Sequence, residues 1–191
     1  MKPLIIGLGR AGCRIASLFL NKGNFPGIIF DTDQSELNHH KNKYRILLGE
    51  DVLDGNGTGK NFEIGTNLMA REIRNIMGRL DSIKEEVDCY LVIAGLGGGT
   101  GGAVGDLLKE LNKEYTEPVY FVGVLPSKDD HPIVMSNFTK SFKNAWNNCD
   151  AFFPIDNDSL KSDLQLRGAY KIINESIYAY LSALFEIGEY N

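Results

Sequence analysis

The sequence has few of the residues that mark several functional classes. Its three cysteines, Cys13, Cys89 and Cys149, are odd in number and far apart. They suggest neither a disulfide framework nor a zinc knuckle, and reduced thiols in a cytoplasmic protein are the simplest expectation. The three histidines, His39, His40 and His131, have no metal-ligand spacing with them. No run of about 18 apolar residues occurs, so no membrane-spanning helix is expected. The first residues are interrupted too soon to form the apolar core of a signal peptide. Positive charge is not in excess: 20 Lys and Arg face 25 Asp and Glu, a formal charge of -5. That balance argues against nucleic acid as the main partner. There is no internal repeat, low-complexity tract or linker in the 191 residues, which fit one domain.

What the chain has is glycine, 21 residues of it, several in clusters. Between the clusters, short apolar runs alternate with stretches of helical spacing. The runs are Leu4 to Ile6, Gly27 to Phe30, Tyr44 to Leu48, Tyr90 to Ala94, Val119 to Leu125 and Ala151 to Ile155. Helical faces are read at Ile15 to Leu20, Leu68 to Leu80, Val104 to Leu111, Val134 to Trp146 behind Pro132, and Ile173 to Leu184. Residues 50–63 are polar and glycine-rich and are read as a long loop. Continuously apolar strands alternating with helices predict an α/β fold: a doubly wound, mostly parallel six-stranded sheet with helices on both faces. Such sheets bind ligands beyond the carboxyl ends of their strands.

The residues just after two strands have the pattern such binding needs. Gly7-Leu8-Gly9-Arg10-Ala11-Gly12 is a complete G-x-G-x-x-G between the first strand and the first helix. Its glycines permit a tight turn and let phosphate oxygens reach backbone N–H groups at a helix N-terminus. The motif does not identify the nucleotide. A dinucleotide-binding domain has the same fingerprint with an acid about 20 residues on, and Asp31 and Asp33 stand there. The second cluster, Gly95 to Ala103, holds six glycines in nine residues. That is entropically expensive, and a turn of consecutive N–H groups around an anion explains it. Thr100 adds a hydroxyl. Two such loops suggest a polyphosphate held from two strands. The segment Gly55 to Asn61 fails as a P-loop, because its glycine spacing is wrong and Asn61 replaces the Mg²⁺-binding Ser or Thr.

Gly97-Gly98-Gly99-Thr100-Gly101-Gly102 closely resembles the signature of the tubulin/FtsZ superfamily. The first loop is nearer to tubulin and the archaeal CetZ group than to FtsZ. Asp31-Thr32-Asp33 resembles the motif after the family's second strand. Gly57 to Gly65 resembles its third loop, Val124 to Ser127 with Asn137 the CetZ pattern after the fifth strand, and Asp156-Asn157-Asp158 the motif near the base. Tyr170 and Asn174 resemble the pair on the family's core helix. The resemblance covers essentially the whole chain, in order. It implies a Rossmann-like GTPase domain that binds GTP or GDP with Mg²⁺. By this resemblance the phosphates meet Gly9, Arg10, Ala11, Gly12, Asn61, Gly97, Gly98, Gly99, Thr100 and Gly101. The base meets Asn157, Tyr170, Asn174 and Arg14. Asp31 and Glu63 are the candidates beside the metal, with Asp54 a weaker one.

The chemistry of these residues agrees with that assignment. Tyr170 and Asn174, four apart, share a helix face. The Tyr ring can stack on a purine, and each Asn offers the donor and acceptor that a guanine edge needs. Arg10 and Arg14 stand where tubulin carries glutamines. In the family, one subunit holds GTP and the next supplies an acidic loop, just after the core helix, for hydrolysis. This sequence ends at Glu186 to Asn191, about where the core helix would finish. The expectation is therefore a single nucleotide-binding domain over 1–191, without the second family domain or its acidic loop, with other tubulin/FtsZ-like subunits as partners. An NAD-binding oxidoreductase domain, and a short non-polymerising regulator or filament cap, are the alternatives.

Overall fold

Short apolar runs bounded by glycine or polar residues build a six-stranded sheet in the computed structural model, which describes residues 1–83, 86–160 and 166–189. The first half of the chain gives β1 (Pro3–Leu8), α1 (Gly9–Lys22), β2 (Gly27–Asp31), α2 (Gln34–Asn38), β3 (Arg45–Leu47), α3 (Glu50–Leu53) and α4 (Phe62–Ile83). The second gives β4 (Cys89–Gly95), α5 (Gly99–Gly102), α6 (Val104–Glu114), β5 (Val119–Leu125), α7 (Pro132–Trp146), β6 (Ala151–Asp156), α8 (Asn157–Leu160) and α9 (Leu166–Glu189). The strand order is β3-β2-β1-β4-β5-β6, and every neighbouring pair is parallel. Tyr190 and Asn191, at the expected end of the core helix, lie outside the described residues.

Alternation along the central strands sorts their side chains into two layers. Leu4, Ile6 and Leu8 of β1, with Tyr90, Val92 and Ala94 of β4, pack against Met69, Ile76 and Leu80 of α4 and Leu107, Leu108 and Leu111 of α6. Ile5, Leu91 and Ile93 face the other way. They meet Ile15 and Phe19 of α1 and Ile173, Ile177, Leu181 and Phe185 of α9. Both faces of β1 and β4 are thus covered, which is why these strands read as unbroken apolar runs. The ring of Phe19 meets that of Tyr178 edge-on at 5.1 Å, joining α1 to α9.

Three details differ from the sequence reading. The third strand is only three residues long, because Tyr44 and Leu48 fall outside the ladder. The stretch 50–63 is not all loop: α3 forms one turn after Gly49, and α4 begins at Phe62, ahead of its apolar spacing. β6 is an edge strand, and its Phe153 and Pro154 are exposed. A proline fits there because an edge tolerates a missing N–H. The outer face of α9 is also apolar, with Tyr180, Leu184 and Ile187 exposed.

The crossing of α1 over β4 depends on Gly12. A Cβ on this residue would stand 2.1 Å from the Ile93 carbonyl oxygen, which is fixed in the sheet. Gly78, in the middle of α4, has nothing within 4 Å of such a Cβ. We predict opposite outcomes for the two alanine substitutions in urea unfolding. G12A loses roughly 3 kcal/mol, as forced overpacking does. G78A gains about 1 kcal/mol from helix propensity alone. Equal effects would show that α1 is not held to this distance.

Candidate functional site

Winding reverses between β1 and β4. From β1 the chain proceeds outward to β2 and β3, and from β4 outward to β5 and β6. The loops leaving β1 and β4 therefore open a crevice at the switch point. A cleft of about 1110 Å³ lies there, room for a nucleotide-sized ligand. Its floor is formed by the two glycine clusters. Gly9 adopts φ +68°, a left-handed conformation suited to glycine, and a Cβ on it would lie 2.9 Å from the Gly101 amide nitrogen. The two loops thus touch backbone to backbone.

Most of the residues singled out in the sequence line this cleft: Gly9, Arg10, Ala11 and Arg14 from the first loop and α1; Gly97, Gly98, Gly99, Thr100 and Gly101 from the second; Asp31 after β2; and Asn157, Tyr170 and Asn174 from α8 and α9. Gly12, Asn61 and Glu63 are not among the lining residues. Gly12 is spent on packing against β4. The Asn61 Oδ1 accepts the Ile64 N–H at 3.1 Å, securing the start of α4. Glu63 is exposed in the first turn of α4.

Three hydroxyls converge on the floor, those of Thr32, Thr58 and Thr100. Thr32 Oγ1 is 2.7 Å from Thr100 Oγ1, and Thr58 Oγ1 is 3.5 Å from it. All three are buried. The loop carrying Thr58 is fastened at several points. Gly57 N–H donates to Thr32 O, Gln34 N–H donates to Gly55 O, and Asn137 Nδ2 of α7 donates to Lys60 O at 2.8 Å and to Gly97 O at 3.2 Å. Asn137, 3% exposed, thereby ties the third loop to the second glycine loop.

One wall is strongly charged. The Asp33 Oδ1 caps α2 by accepting the N–H groups of Ser35 and Glu36, and its Oδ2 accepts from Arg10 Nη2 at 3.2 Å. Glu36, 3% exposed, accepts both Arg14 Nε at 2.7 Å and Arg14 Nη2 at 2.8 Å, while Arg10 Nε lies 3.1 Å from its Oε2. Burial alone would raise the Glu36 carboxyl. The hydrogen bonds and charge of Arg14, with the charge of Arg10, outweigh burial and hold it below the usual range. Asp31 has no such partner. Its Oδ1 accepts the Thr32 and Asp33 N–H groups, but its buried Oδ2 has no hydrogen-bond partner among the described residues. Burial pushes its carboxyl up to about 6, against the lowering effect of those two N–H groups; the charges of Asp33 and Glu36 add to the rise.

Asp31 lines the cleft, and its buried, unpartnered Oδ2 is an acceptor that a cation or its water could satisfy. Glu63 does not fit, being outside the lining. Among the described residues no cluster of three acidic, His or Cys side chains is placed to hold a metal unaided. A Mg²⁺ here would need the phosphates and water for most of its ligands.

The fold and the cleft together define a doubly wound α/β domain of the glycine-loop class. The Tubulin/FtsZ family, GTPase domain, matches residues 2–165. The chain belongs to that family. It is 35% identical to the tubulin-like protein CetZ1 of Haloferax volcanii over 99% of this chain and 51% of that one. The GDP-bound CetZ1 monomer superimposes with TM-score 0.90 at 34% identity, covering 97% of this chain and 60% of that one. The GTPγS-bound protofilament of CetZ2 from the same organism does so with TM-score 0.92 at 31% identity, over 99% of this chain and 59% of that one. The chain thus spans about half the length of CetZ1. The match decides between the classes left open by the first glycine loop: this is a CetZ-like GTPase domain, not an oxidoreductase domain. No helix among the described residues is long and apolar enough to cross a membrane, and all three cysteines are free.

The Asp31 environment gives a pH prediction. The folded chain holds this proton up to about pH 6, while an ordinary carboxyl releases it near 3.8. Between those values folding takes up a proton, so the native state loses stability as pH rises, by about 3 kcal/mol in all, and the loss is complete above pH 6. D31N removes the carboxyl and keeps an oxygen for the two N–H groups. In chelator and without nucleotide, D31N melts higher than the parent at pH 7.5, and the two converge at pH 4. Parallel melting curves at both pH values would contradict the assignment.

Proposed function

We propose that the cleft binds GTP and GDP, and that this domain is the nucleotide-binding part of a cytoskeletal, tubulin-like GTPase. The observation that carries the reading is the shape of one cleft with two different ends. At the switch point, backbone amides of the two glycine loops and the Thr100 hydroxyl face the same space, as a polyphosphate requires. At the other end stand Asn157, Asn174 and the half-exposed Tyr170, a stacking surface and two amides suited to guanine. Phosphates meet Gly9, Arg10, Ala11, Gly97, Gly98, Gly99, Thr100 and Gly101. Gly12 and Asn61 act behind them, by fixing α1 and the third loop. The base meets Asn157, Tyr170, Asn174 and Arg14.

Asp31 would supply one fixed acceptor to a Mg²⁺ arriving with the nucleotide, or to its water; such an ion would neutralise phosphate charge. In phosphoryl transfer of this kind the protein contributes position and charge. The present residues hold the nucleotide, while the water-positioning acid comes from the acidic loop of a neighbouring tubulin/FtsZ-like subunit in the cytoplasm. GDP and GTPγS in the CetZ1 and CetZ2 structures, and the protofilament of the latter, support this reading.

The test is a titration with GTP, ATP and NAD, with and without Mg²⁺. GTP binds tightly, ATP and NAD weakly, and Mg²⁺ strengthens GTP binding. N174L lowers GTP affinity about tenfold or more by leaving a base edge unpaired, while ATP binding hardly changes. Phosphate release by this chain alone stays far below that of assembled filaments. Preference for NAD, or an N174L variant with full GTP affinity, would overturn the proposal.

A further inference from the structure

Glu36 was not singled out by any motif and does not itself line the cleft, yet it holds two arginines that do, Arg10 and Arg14. Its carboxylate is buried, accepts a two-pronged pair from Arg14, and touches Arg10. Behind it lies a row of buried polar groups. His40 Nε2 is 3.5 Å from Glu36 Oε1, His40 Nδ1 is 2.8 Å from Ser17 Oγ, and Asn42 Nδ2 donates to Ser17 Oγ at 2.9 Å. Asn42 can only donate through that nitrogen, and the Ser17 hydroxyl, with one O–H and two lone pairs, can still either give a proton to His40 Nδ1 or accept one from it. His40 Nε2 stands beside the Glu36 carboxylate without a hydrogen-bond partner among the described residues. Ser, His and Glu are the residue types of a hydrolytic triad. Here, however, the serine is buried and does not line the cleft, so the row packs behind Glu36 and cannot attack a substrate.

The consequence falls on Arg14. A free arginine loses much rotamer freedom when it binds a ligand. This one has already lost it. Nε and one Nη2 proton are committed to Glu36, which leaves the remaining donors in a fixed plane. Arg14 lies one helical turn beyond Arg10 on α1, about 6 Å farther from the phosphate end. It lines the cleft together with Leu18 on its own helix and with Tyr170 and Asn174 on α9. A fixed guanidinium suits the O6 and N7 acceptors of guanine and meets a repelling amino group at the same position on adenine.

We infer that Glu36 is a positioning residue for base selection, one that presents Arg14 to the O6 and N7 edge of guanine. The inference rests on the guanine-nucleotide reading of the cleft. Its test compares GTP, ITP and ATP, because inosine keeps O6 and N7 but lacks the 2-amino group. The parent protein is measured first; if it shows no preference for GTP over ATP, the reading of the cleft itself fails. With that preference in hand, E36Q lowers both the GTP:ATP and the ITP:ATP affinity ratios by about tenfold. R14K, which keeps the charge but not the fork, lowers them likewise and covers the case in which E36Q does not fold. Two results overturn the inference. One is a pair of ratios unchanged in the folded variants, which leaves Glu36 a purely structural ion-pair partner. The other is a fall in GTP:ATP alone, which places discrimination at the 2-amino group and the asparagines.

Discussion

Everything at this site depends on two stretches of backbone being allowed to touch. The loops that leave β1 and β4 come from adjacent strands and meet over the sheet. They can do so only because Gly9 has no side chain, since a Cβ on it would stand 2.9 Å from the Gly101 amide nitrogen. The same economy lets α1 lie against β4 at Gly12, and α4 lie against the second loop at Gly65, where a Cβ would stand 2.1 Å from the Gly99 oxygen. If these contacts widened, the two glycine loops would no longer close one cleft floor. Glycine's entropic cost is borne here because no other residue permits the approach.

On that floor the chain places opposing charges close together. Asp31 and Asp33 line the cleft, and Glu36 stands just behind it. Two of the three are neutralised by arginines. Asp31 is left over, buried and raised. This division is coherent: the paired acids hold the two arginines in place, and the unpaired one keeps a carboxylate oxygen without a partner among the described residues. The base selectivity proposed for the other end is a separate matter, argued from amides and a held guanidinium and not from net charge.

How much of this was legible in the sequence follows from what is local. The central strands announced themselves because both of their faces are buried, so nothing interrupts the apolar run. The glycine clusters did so because so many glycines together are expensive in chain entropy, although part of their use is close packing, as at Gly12. β3 and α3 were harder: one is three residues long and the other a single turn, too short for any periodicity. Asn137 was visible as part of a motif, but its job of joining two loops was not, since its partners Lys60 and Gly97 are far away in the chain. Glu36 left no functional trace. Asp33-x-x-Glu36 reads as a helix-capping pattern, and only the folded chain shows the glutamate turned instead toward Arg14, 22 positions earlier.

The parallel register has a consequence for how the domain comes into being. Pro3 stands opposite Cys89 and Leu8 opposite Ala94, so the two glycine loops are strangers until the halves of the sheet join across a long stretch of intervening chain. Pairings of this range form slowly, because loop-closure entropy is spent before any contact rewards it. No fragment carries half a cleft that could be filled early. A ligand held by both loops therefore recognises only the completed sheet, and its binding energy adds to the cooperative folding equilibrium of the whole domain. For this chain, a filled site is also the mark that folding has finished.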